Sequence, residues 1–419
     1  MATSLVTRGD FILTVLYITQ NGVTDHIGRS QVAPYLLGLA KLGFPIHVLS
    51  AEKPGHEDLI QEYRGAFDEA GIRWTCVTYR NAPPLLGQLW TQLLMKRSAA
   101  RIVRDEGIRV VHCRSFPPAL IAHRLKPRLG VKYIFDFRDF YADGGLAKSK
   151  GLARLAYSRL KQLEGPMIRH ADKVVCLTER ARDLLVDWYL RDVKDAKARF
   201  QVIPCCADFE HFDPDKVSSE ALNNARRKAG LMPDAFVLLY LGSLGPDYLL
   251  PQMIVLFRQV LLIRPDACFL FVSNNGEELI DKEVARQGVS AERIRFVSAD
   301  RSEIPAFIML ADLSVVFIRA DVSKAGCSPT KLGELFACNV PVVANAGVGD
   351  MEAIISLHRN GSAIVENFSP ETLLAAVKKV LQSKCHGNYI RDHSRDLTLT
   401  EGVNRYAQVY NQLLKSDIE

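Results

Sequence analysis

The sequence is poor in the features that mark membrane-spanning, secreted and nucleic-acid-binding proteins. It has no uncharged apolar run of about 18 residues, which a membrane-spanning helix needs. Its first residues show no cleavage pattern of a signal peptide, so we expect a cytoplasmic protein. No group of basic residues is dense enough to predict a nucleic-acid partner, although the net charge of +6 favours anionic substrates or an acidic membrane surface.

Paired-cysteine and dinucleotide motifs are also absent. The nine cysteines include no C-x-x-C pair, and most lie in apolar, strand-like segments. Reduced thiols in a hydrophobic core are therefore expected. No G-x-G-x-x-G follows a predicted strand and no P-loop occurs, which argues against a dehydrogenase.

The sequence does contain an alternation of short β-branched, apolar segments and longer helical segments. This alternation predicts α/β domains with parallel sheets. A length of 419 residues exceeds what one core usually supports, so two domains are expected. The predicted strands are 11–19, 45–50, 72–79, 108–113, 132–137 and 173–178 in the first half, and 235–242, 267–273, 293–298, 313–318 and 340–345 in the second.

An irregular segment separates the two halves. Residues 202–220 are rich in proline, aspartate and serine and show no apolar periodicity, as expected of a hinge. Residues 399–414 have apolar side chains at helical spacing, so a last helix can pack back across the hinge. The predicted division is a Rossmann-like domain over 1–204, a linker over 205–232, a second Rossmann-like domain over 233–390 and a returning helical tail over 391–419.

The segment SPTKLGELFACNVPVV, which starts at Ser328, carries the first functional signal. Ser328 is a favoured N-cap, Pro329 suits the first helical position, and Asn339 can adopt the left-handed conformation that ends a helix. The predicted helix therefore covers about 329–338. Lys331 then lies in its first turn, where a cation opposes the helix dipole at a cost of roughly 0.3–1 kcal/mol.

A bound nucleotide diphosphate would remove this cost. It would accept hydrogen bonds from the amides of Thr330 and Lys331 and would interact with the lysine charge. Glu334 lies one turn further along and leans toward the helix start, so it can accept hydrogen bonds from the hydroxyls of a ribose. The alternative is a solvated Lys331 that pairs loosely with Glu334.

A second loop, AGVGDMEAI, follows the next predicted strand. Its glycines, Gly347 and Gly349, allow a close approach of the backbone to a ligand. Both loops belong to the carboxyl edge of the predicted sheet, where open α/β sheets bind ligands.

These motifs resemble the donor-nucleotide segment of the retaining glycosyltransferases of family four, which have the GT-B fold. The resemblance extends to DHIGRSQVAPYLLGLAKLGFPIHVLS (25–50), which is similar to the glycine loop, first helix and second strand of that family, and to the hinge sequence VIPCCAD. It implies an α/β architecture of two Rossmann-like domains with parallel sheets facing each other across a cleft. The N-terminal domain would bind the acceptor, and the C-terminal domain would bind a nucleotide sugar.

The resemblance implies a donor site in the second domain. The SPTK turn and the loop GSLG (242–245) would surround the diphosphate, and Glu334 would hold the ribose. The base would lie between the strand ends near Ser273–Asn274 and Val297–Ser298. The implied donor-binding residues are Gly242, Ser243, Asn274, Ser298, Ser328, Thr330, Lys331 and Glu334.

Two departures from the family pattern mark a subgroup with its own donor. Gly326 stands where the family often has the first of two glutamates, so sugar contacts would come from elsewhere, such as the amides of 324–328. The loop GSLGPDY lacks the Arg and Lys that many members place after this strand, so the charge of the diphosphate would fall on Lys331. The expected helpers are Arg29, Arg319 and Lys324.

On the acceptor side, the resemblance implies contacts from the glycine loop and from a strand end. Gly28 and Arg29 lie in the loop, while His112 and Arg114 lie at the end of the fourth predicted strand. A lone strand histidine is often a satisfied core group, and this alternative stays open for His112.

Asp136 and Arg138 end the fifth predicted strand, where two buried charges need partners or a ligand. Together with Lys331 they are the expected catalytic residues, because similar family members carry acceptor-facing residues after this strand. The alternative is a mutual ion pair that only fixes the loop.

The implied activity is retaining transfer of a sugar from a nucleotide diphosphate to a glycan or lipid-linked acceptor in cell-surface polysaccharide assembly. The departing diphosphate can take the acceptor proton, so neither a cofactor nor a metal ion is expected. The Asp-x-Asp at 213–215 lies in the hinge and is expected to form an ordinary turn. A sugar-nucleotide epimerase of the same fold and a nucleotide-sugar-binding protein without turnover remain as alternatives.

Two basic amphipathic segments, 85–107 and 147–162, are candidates for contact with an anionic bilayer. The alternative for each is a core helix with a solvated basic edge. Such contact would place the protein at the inner face of the membrane.

Overall fold

The computed structural model describes residues 13–83, 86–358, 361–383 and 387–415. The chain divides into two compact units. The first contains the residues up to Pro204 together with those from Leu399 onward, and the second is Cys205–Thr398. Cys385, Leu85 and the first two residues of the predicted strand 11–19 lie outside the described residues.

The first unit is built on a seven-stranded sheet of parallel neighbours. Its central strands are buried along their length, as expected of a parallel sheet covered on both faces. The strands are β1 (Val15–Thr19), β2 (Ile46–Glu52), β3 (Arg73–Thr78), β4 (Val110–Arg114), β5 (Lys132–Phe137), β6 (Lys173–Cys176) and β7 (Phe200–Val202). Their order across the sheet is β3-β2-β1-β4-β5-β6-β7.

Helices connect the strands of this sheet, as parallel pairing requires. They are α1 (His26–Gln31), α2 (Ala33–Lys41), α3 (Glu57–Glu69), α4 (Leu86–Asp105), α5 (Phe116–Leu129), α6 (Tyr141–Lys148), α7 (Gly151–His170) and α8 (Glu179–Tyr189). The last helix of the chain, α17 (Leu399–Lys415), also belongs to this unit.

Helix α17 packs against α2 through its apolar side. Val403, Tyr406, Val409, Tyr410 and Leu413, which the sequence predicts on one side of the helix, are all buried. The close approach depends on a glycine of α2, because a Cβ at that position would lie 2.6 Å from Cγ2 of Val403. The final helix is therefore part of the hydrophobic core of the first unit.

The second unit has a six-stranded sheet, again of parallel neighbours. Its strands are β8 (Val237–Leu241), β9 (Cys268–Val272), β10 (Ile294–Val297), β11 (Leu313–Val316), β12 (Val342–Asn345) and β13 (Ala363–Val365), in the order β10-β9-β8-β11-β12-β13. The eleven strands predicted from the sequence are thus confirmed. The sequence does not predict β7 and β13, because three residues are too few to show a periodic pattern.

Two hydrophobic clusters cover the two faces of the second sheet. They are formed with α9 (Ser219–Lys228), α10 (Leu250–Leu261), α11 (Glu277–Arg286), α12 (Ile304–Ile308), α13 (Thr330–Ala337), α14 (Met351–His358), α15 (Pro370–Leu381) and α16 (Tyr389–Asp392). In the part of the chain that the structure describes, no helix combines the length and apolarity needed to cross a bilayer.

Residues 205–232, which the sequence predicts as a linker, pack into the second unit. Phe209 and Phe212 are buried in one of its clusters. Arg391 donates hydrogen bonds to the carbonyls of Phe209, Phe212 and Ala337, at 2.9, 2.9 and 2.8 Å. The carboxylate of Asp213 accepts a hydrogen bond from the amide two residues later, so the Asp-x-Asp segment forms an ordinary turn, as predicted.

The strand order of each sheet reverses at one point. In the first unit β1 lies between β2 and β4, and in the second unit β8 lies between β9 and β11. Crevices at the carboxyl ends of such strands are the usual ligand sites of open α/β sheets. The loops after β1 and β8 are therefore the candidate ligand-binding loops.

Candidate functional site

Helix α13 begins beside the loop that follows β8. Its N-cap is Pro329, so the prediction that Ser328 caps the helix is wrong. The hydroxyl of Ser328 instead accepts a hydrogen bond from the amide of Cys205 at 3.0 Å. The predicted helix end is confirmed, because Asn339 adopts a left-handed conformation with φ of 60°. Thr330 and Lys331 form the first turn, whose amides have no partners within the helix.

The amine of Lys331 is directed into the protein. Its Nζ lies 4.7 Å from the ring centroid of Tyr240 and 4.4 Å from that of Tyr248. A Cβ added to Gly242 would lie only 2.9 Å from this nitrogen. Among the described residues Nζ is buried and has no hydrogen-bond partner. Lys331 therefore places an unsatisfied cation directly beneath the loop that starts at Gly242.

Burial lowers the pKa of Lys331 to about 8, although the charge of Glu334 opposes the shift. Burial also raises the pKa of the Tyr240 and Tyr248 phenols, so both rings stay neutral at physiological pH. Two neutral rings compensate only part of the lost hydration of an ammonium group. The alternative of a solvated Lys331 is thus wrong. A bound anion would stabilise the buried ammonium group.

The loop 242–245 is fixed in a conformation that requires glycine. Gly242 has φ of 115° and donates its amide to the carbonyl of Val272 at 3.0 Å. The side chain of Asn275 bonds both the amide and the carbonyl of Leu244, each at 2.9 Å. The Tyr240 hydroxyl donates to the carbonyl of Ser243 at 2.8 Å. The loop is therefore held at the strand-order reversal of the second sheet.

The cations expected to help Lys331 have other partners. Lys324 forms an ion pair with Asp247 at 2.9 Å, and Arg319 donates to the carbonyl of Pro246 at 2.6 Å. Asp247 is thus neutralised by Lys324, which explains how an acid is tolerated beside this loop. The third expected helper, Arg29, belongs to the first unit.

The turn around Gly326 uses some of its amides internally. The amide of Cys327 donates to the carbonyl of Lys324, and the amide of Lys324 donates to Asp321. These two amides are therefore unavailable for the sugar contacts expected from 324–328.

The two residues predicted near a base lie together. Ser298 and Asn274 are exposed at the ends of neighbouring strands, and the serine hydroxyl donates to the amide oxygen of Asn274 at 2.7 Å. Sequence reasoning missed Tyr240, Tyr248 and Asn275. The sequence Asn274-Asn275-Gly276 contains a turn signal that points to Asn275, whereas nothing in the sequence pairs the tyrosines with Lys331.

In the first unit, a buried carboxylate holds the loop after β1. Glu52 accepts hydrogen bonds from the amide of Val23 at 2.7 Å and from the hydroxyl of Thr24 at 2.6 Å. Gly28 is tightly enclosed, because a Cβ there would lie 2.0 Å from the carbonyl oxygen of Gly22. The loop therefore forms a fixed turn, from which the neighbouring Arg29 is exposed.

Asp136 forms the centre of a buried polar cluster at the end of β5. Its carboxylate lies 3.6 Å from Arg138, 3.7 Å from Arg114 and 3.6 Å from Nε2 of His112. The hydroxyl of Tyr406, on α17, donates to Asp136 at 3.1 Å. We call these residues, together with Tyr410, the Asp136 cluster.

Opposing effects set the protonation states in the Asp136 cluster. Burial alone would raise the pKa of Asp136, but Arg138, His112 and Arg114 lower it to about 2. Burial lowers the pKa of His112, so this ring is neutral near pH 7, and its Nδ1 shares a 2.8 Å hydrogen bond with Tyr410. The buried charges predicted to need partners or a ligand thus have counter-charges inside the first unit, although Oδ1 of Asp136 has no hydrogen-bond partner among the described residues.

Two family models match this chain. A glycosyl transferase 4-like domain matches residues 29–205, and the glycosyl transferases group 1 family matches residues 235–383. Together the two matches cover most of the chain, and each falls on one of the two α/β sheets.

The similarity to two curated glycosyltransferases or synthases is low and covers part of the chain. The α-monoglucosyldiacylglycerol synthase of Streptococcus pneumoniae is 26% identical over 250 residues, which cover 59% of this chain and 54% of that protein. D-inositol 3-phosphate glycosyltransferase 1 of Catenulispora acidiphila is 26% identical over 267 residues, which cover 60% of both proteins. The chain thus spans between half and two thirds of the length of these relatives.

Solved structures share the fold over nearly the whole chain. Sucrose-phosphate synthase from Thermosynechococcus elongatus has a TM-score of 0.70 at 14% identity, with 96% of this chain and 100% of the other covered. HepE of Anabaena, in complex with UDP and glucose, has a TM-score of 0.67 at 14% identity with the same coverage. The predicted GT-B fold is thereby confirmed.

Proposed function

Since the chain belongs to the glycosyltransferases that combine a glycosyl transferase 4-like domain with a group 1 domain, we propose that it transfers a sugar, with retention of configuration, from a nucleotide diphosphate to a glycan or lipid-linked acceptor. The observation that carries this proposal is the buried amine of Lys331. It lies under a hydrogen-bonded loop, beside the first-turn amides of α13, at the carboxyl edge of the second sheet. A diphosphate is the ligand that such a group of donors and one unsatisfied cation fits best.

The second unit would bind the donor in a defined order along its strand ends. Lys331 and the amides of Thr330 and Lys331 would hold the diphosphate near Gly242 and Ser243. Glu334, one turn along α13, would accept hydrogen bonds from the ribose. The hydrogen-bonded pair of Asn274 and Ser298 would lie beside the base.

Catalysis would depend on stabilising the leaving group. As the bond to the sugar breaks, charge grows on the departing phosphate oxygen, and a preorganised cation in a water-excluded position stabilises that charge more strongly than the ground state. The same oxygen can take the proton of the acceptor hydroxyl. This route requires neither a protein nucleophile nor a metal ion, and we propose a metal-independent reaction.

The first unit would bind the acceptor. Its loop with Gly28 and Arg29, held by Glu52, lies at the strand-order reversal of the first sheet. We assign Asp136 and Arg138 a positioning role instead of a catalytic one, because their charges face each other at 3.6 Å and Tyr406 of α17 donates a hydrogen bond to Asp136. His112 and Arg114 would support the same edge of the sheet.

The names of the relatives suggest the kind of acceptor. One is named for a glucosyldiacylglycerol product and the other for inositol 3-phosphate. We propose by analogy an acceptor hydroxyl on a lipid-linked glycan in cell-surface polysaccharide assembly, at the cytoplasmic face of the membrane.

Release of nucleoside diphosphate tests this function. The full chain is incubated with a panel of nucleotide sugars, with and without lipid-linked acceptors, and products are separated by chromatography. We expect diphosphate release that requires an acceptor, an unchanged anomeric configuration in the product by NMR, and full activity in a chelator. An epimerised or free sugar formed without any acceptor would instead indicate an epimerase, and binding without turnover would indicate a non-catalytic protein.

Donor binding is expected to weaken as the pH rises through about 8. In the unliganded protein the pKa of Lys331 is lowered by burial to about 8. A bound diphosphate favours the ammonium form and raises this pKa, so affinity is complete below that pH and falls by up to about tenfold per pH unit above it. Calorimetric titration with a nucleoside diphosphate from about pH 7 to 10 measures the slope.

The control for this experiment is Lys331→Met, which should bind weakly with no slope in the same range. An equal affinity at both ends of the pH range in the unaltered protein would contradict the role of Lys331.

A further inference from the structure

Helix α4 carries an exposed stripe that the proposed function does not use. The stripe consists of Leu86, Leu89, Trp90, Leu93, Arg97, Arg101 and Arg104, and all seven are exposed. Leu89 and Trp90 are adjacent and the other steps are of three or four residues, so all seven lie on one side of the helix. We call this surface the α4 stripe; its first half is apolar and its second half is basic.

The α4 stripe is not the core side of the helix. The opposite side already packs against the first unit through six buried residues, namely Gly87, Thr91, Met95, Ala99, Ile102 and Val103. Leu89 remains 65% exposed and Trp90 45% exposed. The alternative of a core helix with a solvated basic edge therefore accounts for the arginines but not for four exposed large apolar side chains.

The positive charge of α4 favours an anionic partner. Asp105, the last residue, is the only acid in α4, whereas Lys96 and the three arginines of the stripe are basic. Arg80 adds a further cation, with its guanidinium carbon 6.0 Å from the Trp90 ring centroid. A helix with apolar and aromatic residues beside arginines is the type that lies in the interface of an anionic bilayer.

The position of α4 connects this surface to the acceptor side. The helix follows β3, so its apolar end lies toward the carboxyl edge of the first sheet. Gln92 donates a hydrogen bond of 2.6 Å to Gln20, which begins the loop after β1. A lipid held at the apolar end of the stripe would therefore lie beside the loop that contains Gly28 and Arg29.

We propose that the α4 stripe docks the protein onto an anionic bilayer, with Leu86, Leu89, Trp90 and Leu93 inserted and the arginines on the headgroups. This docking brings the head of a membrane-embedded acceptor to the loop after β1. The choice of a lipid acceptor rests on the proposed function, whereas the docking itself does not.

Helix α7 offers a matched comparison within the same unit. It also exposes two leucines, Leu152 and Leu155, but it lacks an aromatic residue on that side. The guanidinium of Arg154 donates to the carbonyl of Leu146 at 2.8 Å, so this cation is already engaged. Leu152→Glu combined with Leu155→Glu is therefore the control for the corresponding change in α4.

Flotation of the full chain with vesicles of phosphatidylcholine and phosphatidylglycerol tests the docking. We expect binding that falls with salt, and Leu89→Glu combined with Leu93→Glu should lower it at least about tenfold. Replacing Arg97 and Arg101 with Gln should lower binding about fivefold for each arginine at low salt. The α7 control should bind like the unaltered protein, and vesicles of phosphatidylcholine alone should bind much less.

Tryptophan fluorescence provides a second readout that does not depend on activity. Anionic vesicles should shift the emission to shorter wavelength, and Trp90→Phe should abolish the shift while Trp74 and Trp188 remain. The inference is overturned if no vesicles bind, if the α7 control loses binding instead, or if the α4 change only dissociates an oligomer in sedimentation. Retained binding of a nucleoside diphosphate in the same samples separates a failure of docking from a failure of the proposed function.

Discussion

Replacing Lys331 with methionine is expected to lower sugar transfer by about 100-fold or more while it raises the stability of the second unit. The loss of activity follows because the only unsatisfied cation beneath the loop 242–245, within the described residues, disappears. A single charged donor that stabilises a developing anion in a water-excluded site typically contributes this much to the rate.

The gain in stability follows from the same burial. The pKa of Lys331 in the folded protein, about 8, lies below its ordinary value of 10.5, so the folded state disfavours the ammonium form. Below about pH 8 the buried ammonium group lowers the free energy of unfolding by its full amount. This loss of stability disappears as the pH rises from about 8 to 10.5. Methionine has a similar length and packs against Tyr240 and Tyr248 without a charge, so we expect a gain of about 1–3 kcal/mol near neutral pH.

Thermal unfolding and donor turnover should therefore move in opposite directions. Lys282→Met is the matched control, because Lys282 is exposed on α11 and its pair with Glu278 is long, at 3.9 Å. A purely structural Lys331 would instead give a variant with lower stability and with activity reduced only in proportion to unfolding. That outcome would refute the donor role.

Replacing Asp136 with alanine is expected to destabilise the first unit by about 3–5 kcal/mol. The side chain is fully buried, and its removal leaves Arg114 and Arg138 without their common counter-charge. Asp136→Asn should cost less, because an amide oxygen can still accept from Tyr406. Both variants should bind a nucleoside diphosphate normally where they are folded, since the donor residues belong to the second unit.

The effect of Asp136 should also depend on pH. The pKa of Asp136, about 2, lies below the ordinary value of 3.8. Its carboxylate therefore contributes fully to the free energy of unfolding above about pH 4, and this contribution is lost as the pH falls toward 2. Urea unfolding of the full chain at several pH values measures this contribution. Asp192→Ala removes an exposed pair with Arg169 and should change stability little. A direct catalytic Asp136 would instead abolish transfer without a loss of stability.

The strand pattern could be predicted because each long strand is a compact apolar segment bounded by polar residues. The two missed strands, β7 and β13, exist through pairing with longer neighbours, which the sequence does not show locally. The last helix was predictable from its periodicity. Its hydrogen bond from Tyr406 to Asp136 was not, because the two residues are 270 positions apart.

In the candidate site, too, the sequence indicates single residues but does not show their partners from distant parts of the chain. The helix dipole makes Lys331 conspicuous in the sequence, yet the tyrosines that surround its amine come from β8 and from the following loop. The cap prediction for Ser328 was wrong because its hydroxyl is used by the amide of Cys205, which is 123 residues earlier. Helix-dipole and capping preferences thus identify unusual residues such as Lys331 from the sequence. The partners of these residues depend on the tertiary fold.

The three carbonyls bound by Arg391 determine where the second half of the chain can be cut. Phe209 and Phe212 lie before the region 235–383 that matches the group 1 family, Arg391 lies after it, and Ala337 lies within it. A fragment restricted to the matched region would expose the apolar surface that the two phenylalanines cover. A fragment that keeps these contacts is the second compact unit, Cys205–Thr398.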